Sequence, residues 1–233
     1  VAVKGFNEGA ASPLLFARRS ALVLAASLLL AACSHDNTPP PFTASGYLAD
    51  DGAVRLWRKD SSNEAVHLLA VFSPWRAGAT TTREYRWQGE RLSLIDITRY
   101  STPPEKVRIR FDELGELSFM QRERDGQKQQ LSNDDIALYR YHAERTRATS
   151  DALRTGRVVL YQGRWNPDYT VTTCEGKTVK PELDDLAMRR IVERQQHASL
   201  AVSVAWLEAP EGAQLLLVAN SDFCHWQPNA KDF

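Results

Sequence analysis

The sequence predicts a mainly β (α+β) protein: an N-terminal antiparallel meander sheet, a linking helix and a C-terminal OB-like five-stranded barrel. Three observations predict it. From Gly46 to Leu131 short apolar segments alternate with frequent turn signals. Between Ser132 and Gly156 the apolar residues shift to a helical period. From Arg157 to Trp226 the segments return in the order β-β-β-α-β-β, the element order of an OB-type barrel with its helix between the third and fourth strands. The expected divisions are a signal segment over 1–32, a tether over 33–45, a β domain over 46–131, a linking helix over 132–156 and an OB-like domain over 157–233.

Each element has its own justification. Asp51-Gly52 separates the segment 47–49 from 54–58, and the apolar segment 67–72 stops at Ser73-Pro74. Gln88-Gly89 joins 80–87 to 91–100, the stretch from Asp112 to Gly115 joins 107–111 to 116–123, and Asp125-Gly126 starts the return toward Leu131. Asp-Gly before a returning strand is a strong hairpin cue. Val107, Ile109 and Phe111 alternate with charged neighbours, which predicts a sheet with one wet face. Ser132 and Asp135 have the spacing of a capping box, and Gly156 suits the other end of the helix. Its stripe is Ile136, Tyr139, Ala143 and Leu153; Arg140, Arg145, Arg147 and Arg154 fall on the other faces, as expected of a solvated amphipathic helix. In the last third, strands are expected over 158–165, 169–174, 177–180, 200–206 and 215–222, with a helix over 182–194.

Composition narrows the function. The chain has 233 residues, 43% hydrophobic and 25% charged, which excludes extended disorder, collagen and a polytopic membrane protein. Lys+Arg and Asp+Glu number 29 each, so the chain lacks the basic surplus of a nucleic-acid binder.

The front of the chain names a compartment. Arg18-Arg19 precede the uncharged run from Ala21 to Ala32, which ends Leu30-Ala31-Ala32-Cys33. A basic start, a short apolar core and small residues before a cleavage point make a secretory signal, and the run is shorter than the roughly 20 residues that span a bilayer. The Leu-Ala-Ala-Cys ending resembles the bacterial lipobox, which implies that Cys33 takes a diacylglycerol thioether and becomes the acylated N-terminus. Acyl chains at about 0.8 kcal/mol per buried CH₂ then anchor the protein durably when more than one is present. Ser34 in place of Asp points to the outer membrane. The tether, with Pro39-Pro40-Pro41, reads as an extended spacer.

Of the remaining cysteines, Cys174 and Cys224 most simply form one disulfide in an oxidising periplasm. The sharper readings, a catalytic Cys174 or a metal site including His225, find no second CxxC or His-x-His element. No metal or cofactor is expected. The sequence contains no Gly-x-Ser-x-Gly elbow, phosphate-cradling glycine loop or His-Glu-x-x-His, so no enzymatic activity is expected. Among six tryptophans, Trp75 and Trp87 flank a polar segment and form a candidate sugar- or peptide-binding surface patch, set against ordinary packing of Trp on half-buried strands.

Four stretches carry a family resemblance: Phe72-Ser73-Pro74-Trp75, the run from Thr81 to Trp87, the run from Leu117 to Glu123, and the run from Val204 to Gly212. They resemble the enterobacterial YjaH-type lipoproteins, a family assigned to a domain of unknown function. The resemblance implies an envelope lipoprotein and brings no catalytic or ligand residues. The resulting expectation is a non-enzymatic binding or scaffolding module facing the periplasm. Its partners would be the membrane, through its lipid, and envelope proteins or peptidoglycan. The alternative is a carrier of lipid or another apolar ligand in a half-open barrel.

Overall fold

The computed structural model describes residues 39–231 and 233, so Cys33, the segment 1–32 and tether residues 33–38 lie outside the described residues. Pro39–Phe233 form one compact unit. Its first eight strands are β1 (Phe42–Ala49), β2 (Gly52–Asp60), β3 (Ala65–Pro74), β4 (Thr81–Gln88), β5 (Arg91–Arg99), β6 (Glu105–Phe111), β7 (Leu117–Arg124) and β8 (Gln127–Gln129). Each pairs antiparallel with the next, making the expected meander. The strand begins earlier than expected, because Phe42–Ser45, assigned to the tether, pair with Leu56–Lys59.

Helix α1 (Asn133–Thr155) starts at a true capping box: Ser132 Oγ accepts from the Asp135 amide and an Asp135 carboxylate oxygen accepts from the Ser132 amide, each at 3.1 Å. It lies on one face of the large sheet, where Ile136 and Ala143 join Leu56, Leu68, Tyr85, Trp87, Ile95 and Ile109 in the first core.

Three of its four arginines are not solvated. Arg140 donates to the Gly115 carbonyl at 2.7 Å, Arg147 to the Gly89 carbonyl at 3.0 Å and Arg154 to Asp60 at 2.5 Å. Those acceptors sit at the β6–β7, β4–β5 and β2–β3 connections, the alternate turns at one end of the meander. Seven helical residues rise about 10.5 Å, and two strand spacings measure about 9.6 Å. A heptad of arginines therefore meets every second turn as the helix crosses the strands. Arg140 and Arg147 also stand over the rings of Phe111 and Trp87, at 3.8 and 5.4 Å.

The second sheet contains β9 (Val159–Trp165), β10 (Val171–Thr173), β11 (Thr178–Val179), β12 (Ser203–Ala209) and β13 (Gly212–Ala219), in the order β11-β10-β9-β12-β13. Helix α2 (Asp185–Gln196) precedes β12. The last two strands form a hairpin around Pro210-Glu211, three residues displaced from the expected starts. The expected barrel is not closed. Closing it would require β11 to pair with β13, but β11 has two residues before Pro181 and the sheet stays open. No interior is left to enclose, because both faces are covered. Trp165, Val171, Val204 and Trp206 pack on Ile191 of α2. On the other face Leu160, Ala205, Leu207 and Leu216 pack on Ala53, Trp57 and Val71 of the large sheet.

The order of layers is therefore α1, large sheet, small sheet, α2. The single wet face expected for the meander is corrected as well: β2 and β3 carry buried residues on both faces, while water meets the face of β4–β8 turned away from α1 and the part of the other face that the helix does not cover. Strand β2 shows the cause. Val54 and Leu56 point to α1, while Ala53 and Trp57 point to the small sheet, so apolar residues are needed at both parities. A Cβ on Gly46 would stand 2.6 Å from the Val54 carbonyl oxygen and 3.0 Å from Leu216 Cδ2, so glycine is what allows β1 to meet the small sheet.

On the wet face, Glu84 accepts from His67 at 2.9 Å and from Arg86 at 2.8 Å. The His67 bond, and then Arg86, hold its carboxyl down at about 2 against the opposing effect of burial. A carboxylate with a depressed folded-state pKa stabilises the fold above its unfolded value near 4.5 and loses that contribution as the pH falls toward 2. Glu84→Gln is expected to flatten the acid limb of a thermal-midpoint profile in that window. An unchanged limb would show that the contact contributes nothing.

Candidate functional site

The two cysteines of the compact unit are joined: Cys174 and Cys224 form a disulfide with Cα atoms 5.3 Å apart. It ties the end of β10 to a short 3₁₀ turn, Cys224–Trp226, that follows β13. The aromatic patch is corrected. Trp87 is 1% exposed beneath α1, with its indole N–H donating to Glu144 at 3.1 Å. Trp75 is 45% exposed just beyond β3 and donates to the Ala49 carbonyl at 3.3 Å. Trp87 pairs with Val66, nine residues before Trp75 along β3, a separation of about 30 Å. Parity explains the burial, because Trp87 shares the core-facing side of β4 with Tyr85.

Sequence reasoning missed a buried cation under the disulfide. Arg55, on the face of β2 turned to the small sheet, is 1% exposed. Its Nη1 donates to Gln162 Oε1 at 3.0 Å and to the Phe223 carbonyl at 3.4 Å, and its Nη2 donates to Ser73 Oγ at 3.3 Å. The Phe223 ring lies 4.8 Å from the guanidinium carbon, and Nε has no partner. Every acceptor is neutral, and burial pushes the group down to about 10. Gln162 also donates to the Phe223 carbonyl at 3.2 Å and to Gln227 at 2.9 Å. Cys224, next to Phe223, holds this roof in place. Such a directional network fixes how two sheets meet where apolar contacts alone would allow slippage. Its one sequence signal is an arginine inside the apolar run Ala53-Val54-Arg55-Leu56-Trp57.

A cleft of about 480 Å³ opens where β1, the last turn of α1 and the β12–β13 hairpin converge, lined by Tyr47, Leu48, Leu153, Val158, Leu207 and Glu211. The volume falls within the range of small-ligand sites, about 300–1,000 Å³. Leu48 at its rim is 46% exposed. Both β1 and β13 are edge strands, so the cleft lies between two strand edges that pair with no further strand.

Among the described residues no cluster of three metal-ligating side chains is assembled. No described helix is long and apolar enough to cross a membrane. No solved structure matches the chain. It is similar to "Uncharacterized protein YjaH" of Escherichia coli (strain K12), 66% identical over 232 residues, which cover 99% of this chain and 100% of that relative. Residues 44–229, nearly the whole compact unit, match the family described as "Protein of unknown function (DUF1481)". The chain thus belongs to the DUF1481 family.

Proposed function

We propose that the protein is a lipoprotein of the outer membrane, anchored through Cys33 and facing the periplasm, whose compact unit is a non-enzymatic binding or scaffolding module. The cleft carries this reading. An exposed Leu48 beside the free edges of β1 and β13 suits an extended segment of an envelope protein, which would take main-chain hydrogen bonds from a strand edge and place a side chain in the recess. The disulfide supports export to an oxidising compartment. The carrier reading draws on the same apolar lining, but the filled faces of the small sheet leave the ligand only a shallow site.

Cys33→Ser is expected to abolish palmitate labelling and leave an unprocessed precursor; unchanged labelling would remove the anchor. A photo-crosslinker at Leu48 is expected to trap a single protein segment in envelopes. Co-purified phospholipid in native mass spectra, lost on Leu48→Asp, would favour the carrier instead.

A further inference from the structure

The helix-bearing face of the large sheet is wider than the helix that covers it. Strand registers place Arg83 opposite Ile97, and Thr81 opposite both Phe72 and Arg99. Tyr85 lies in the row below α1, Arg83 in the next, and Tyr47, Phe72 and Arg99 in the one beyond. Past α1 the sheet therefore forms a floor, with the helix as a wall about 10 Å tall.

This floor is cationic. Glu105 is a carboxylate in these rows, and it is shared by Arg122 and Arg124, each at 3.4 Å. Among the described residues neither Arg83 nor Arg99 makes an ion pair, and neither does Arg145 on the helix wall, whose guanidinium donates to Tyr141 at 3.1 Å. Arg83 and Arg99 occupy diagonal positions on neighbouring strands, about 7–8 Å apart, where like charges repel. Arg83 is held over the Phe72 ring at 5.7 Å, which orients its fork.

Wall and floor act on the same groups. Arg83 and Arg145 both bear on Tyr47, and both add to the burial that pushes His142 below its usual value. Tyr85 is fully buried and its hydroxyl makes no hydrogen bond. Burial pushes that phenol up to about 12, with Arg83, Thr146, Tyr47 and Tyr139 around it.

We propose that this ledge binds an organic phosphate, with the phosphate held by Arg83 and Arg99 and the apolar body resting on Ile97. Guanidinium forks match phosphate oxygens in pairs, and a dianion relieves the repulsion between them. A step against a helix wall accepts a discrete or protruding group and keeps a flat bilayer away. The proposal depends on neither the anchor nor the cleft.

The test titrates the full chain with phenyl phosphate, inorganic phosphate and phenol, using calorimetry and amide NMR shifts. Phenyl phosphate is expected to bind saturably, inorganic phosphate more weakly and phenol not at all. Arg83→Gln and Arg99→Gln are each expected to weaken binding about tenfold, with thermal midpoints unchanged or raised because repulsion is relieved. Arg108→Gln, on the wet face beside Asp96, is expected to leave binding intact. Absence of saturable binding, full affinity in Arg83→Gln, or an equal loss in Arg108→Gln would overturn the site. Equal affinity for inorganic phosphate would remove the apolar part. Arg83-dependent binding to phosphatidylglycerol vesicles without phenyl phosphate binding would overturn it in favour of membrane docking.

Discussion

Replacing Cys174 and Cys224 together by serine is expected to destabilise the compact unit by about 4 kcal/mol. This is the chain-entropy value for releasing a loop of 50 residues, and it corresponds to a fall of roughly 10 °C in thermal midpoint for a unit of this size. The loss should also have a local signature. With Cys224 free, Phe223 and Gln227 no longer hold the acceptors that satisfy Arg55 and Gln162, and water gains access to a buried cation. Amide exchange should therefore rise first in the segment 222–227 and in β9, before the α1 core opens. Urea unfolding of the double variant against the oxidised protein measures the global effect. A loss below about 1 kcal/mol would show that the roof holds without the bridge.

Gly163→Ala is expected to cost at least about 3 kcal/mol. Gly163 lies in β9 opposite Thr173 of β10. A Cβ there would stand 2.2 Å from the Thr172 carbonyl oxygen and 2.6 Å from the Thr173 Cα. Both are backbone atoms of the paired strand, so relief requires moving β10 and with it Cys174. Gly156 is the control. At φ −73° it has an ordinary conformation, and a Cβ would meet nothing closer than 3.4 Å, so Gly156→Ala should change stability by less than about 1 kcal/mol. Similar unfolding midpoints for the two variants would refute the close-approach argument.

Much of the local structure was legible because its causes are local. Asp51-Gly52 and Asp125-Gly126 make turns through backbone conformations available to those residues, and both hairpins are present. Ser132 and Asp135 satisfy each other's amides across one turn, so the start of α1 was readable to the residue. Errors arose where a contact spans many residues. The sequence leaves Trp87 between a surface patch and strand packing, because its parity on β4 says only that it shares a side with Tyr85, not that a helix some 57 residues later will cover that side. The solvated arginines of α1 failed for the same reason: their acceptors are turn carbonyls and a strand-end carboxylate brought beneath the helix only by folding.

Element types, the meander and the pairing of Cys174 with Cys224 follow from periodicity, turn chemistry and cysteine count, all of which act over a few residues or on the whole chain at once. Which faces become cores, whether five strands close into a barrel, and where unpaired arginines gather follow from packing one sheet against another. Those outcomes depend on Arg55 meeting Gln162 across 107 residues and on Gly46 admitting Leu216. No window of sequence contains both partners, so the ledge and the cleft become visible only after the layers have stacked.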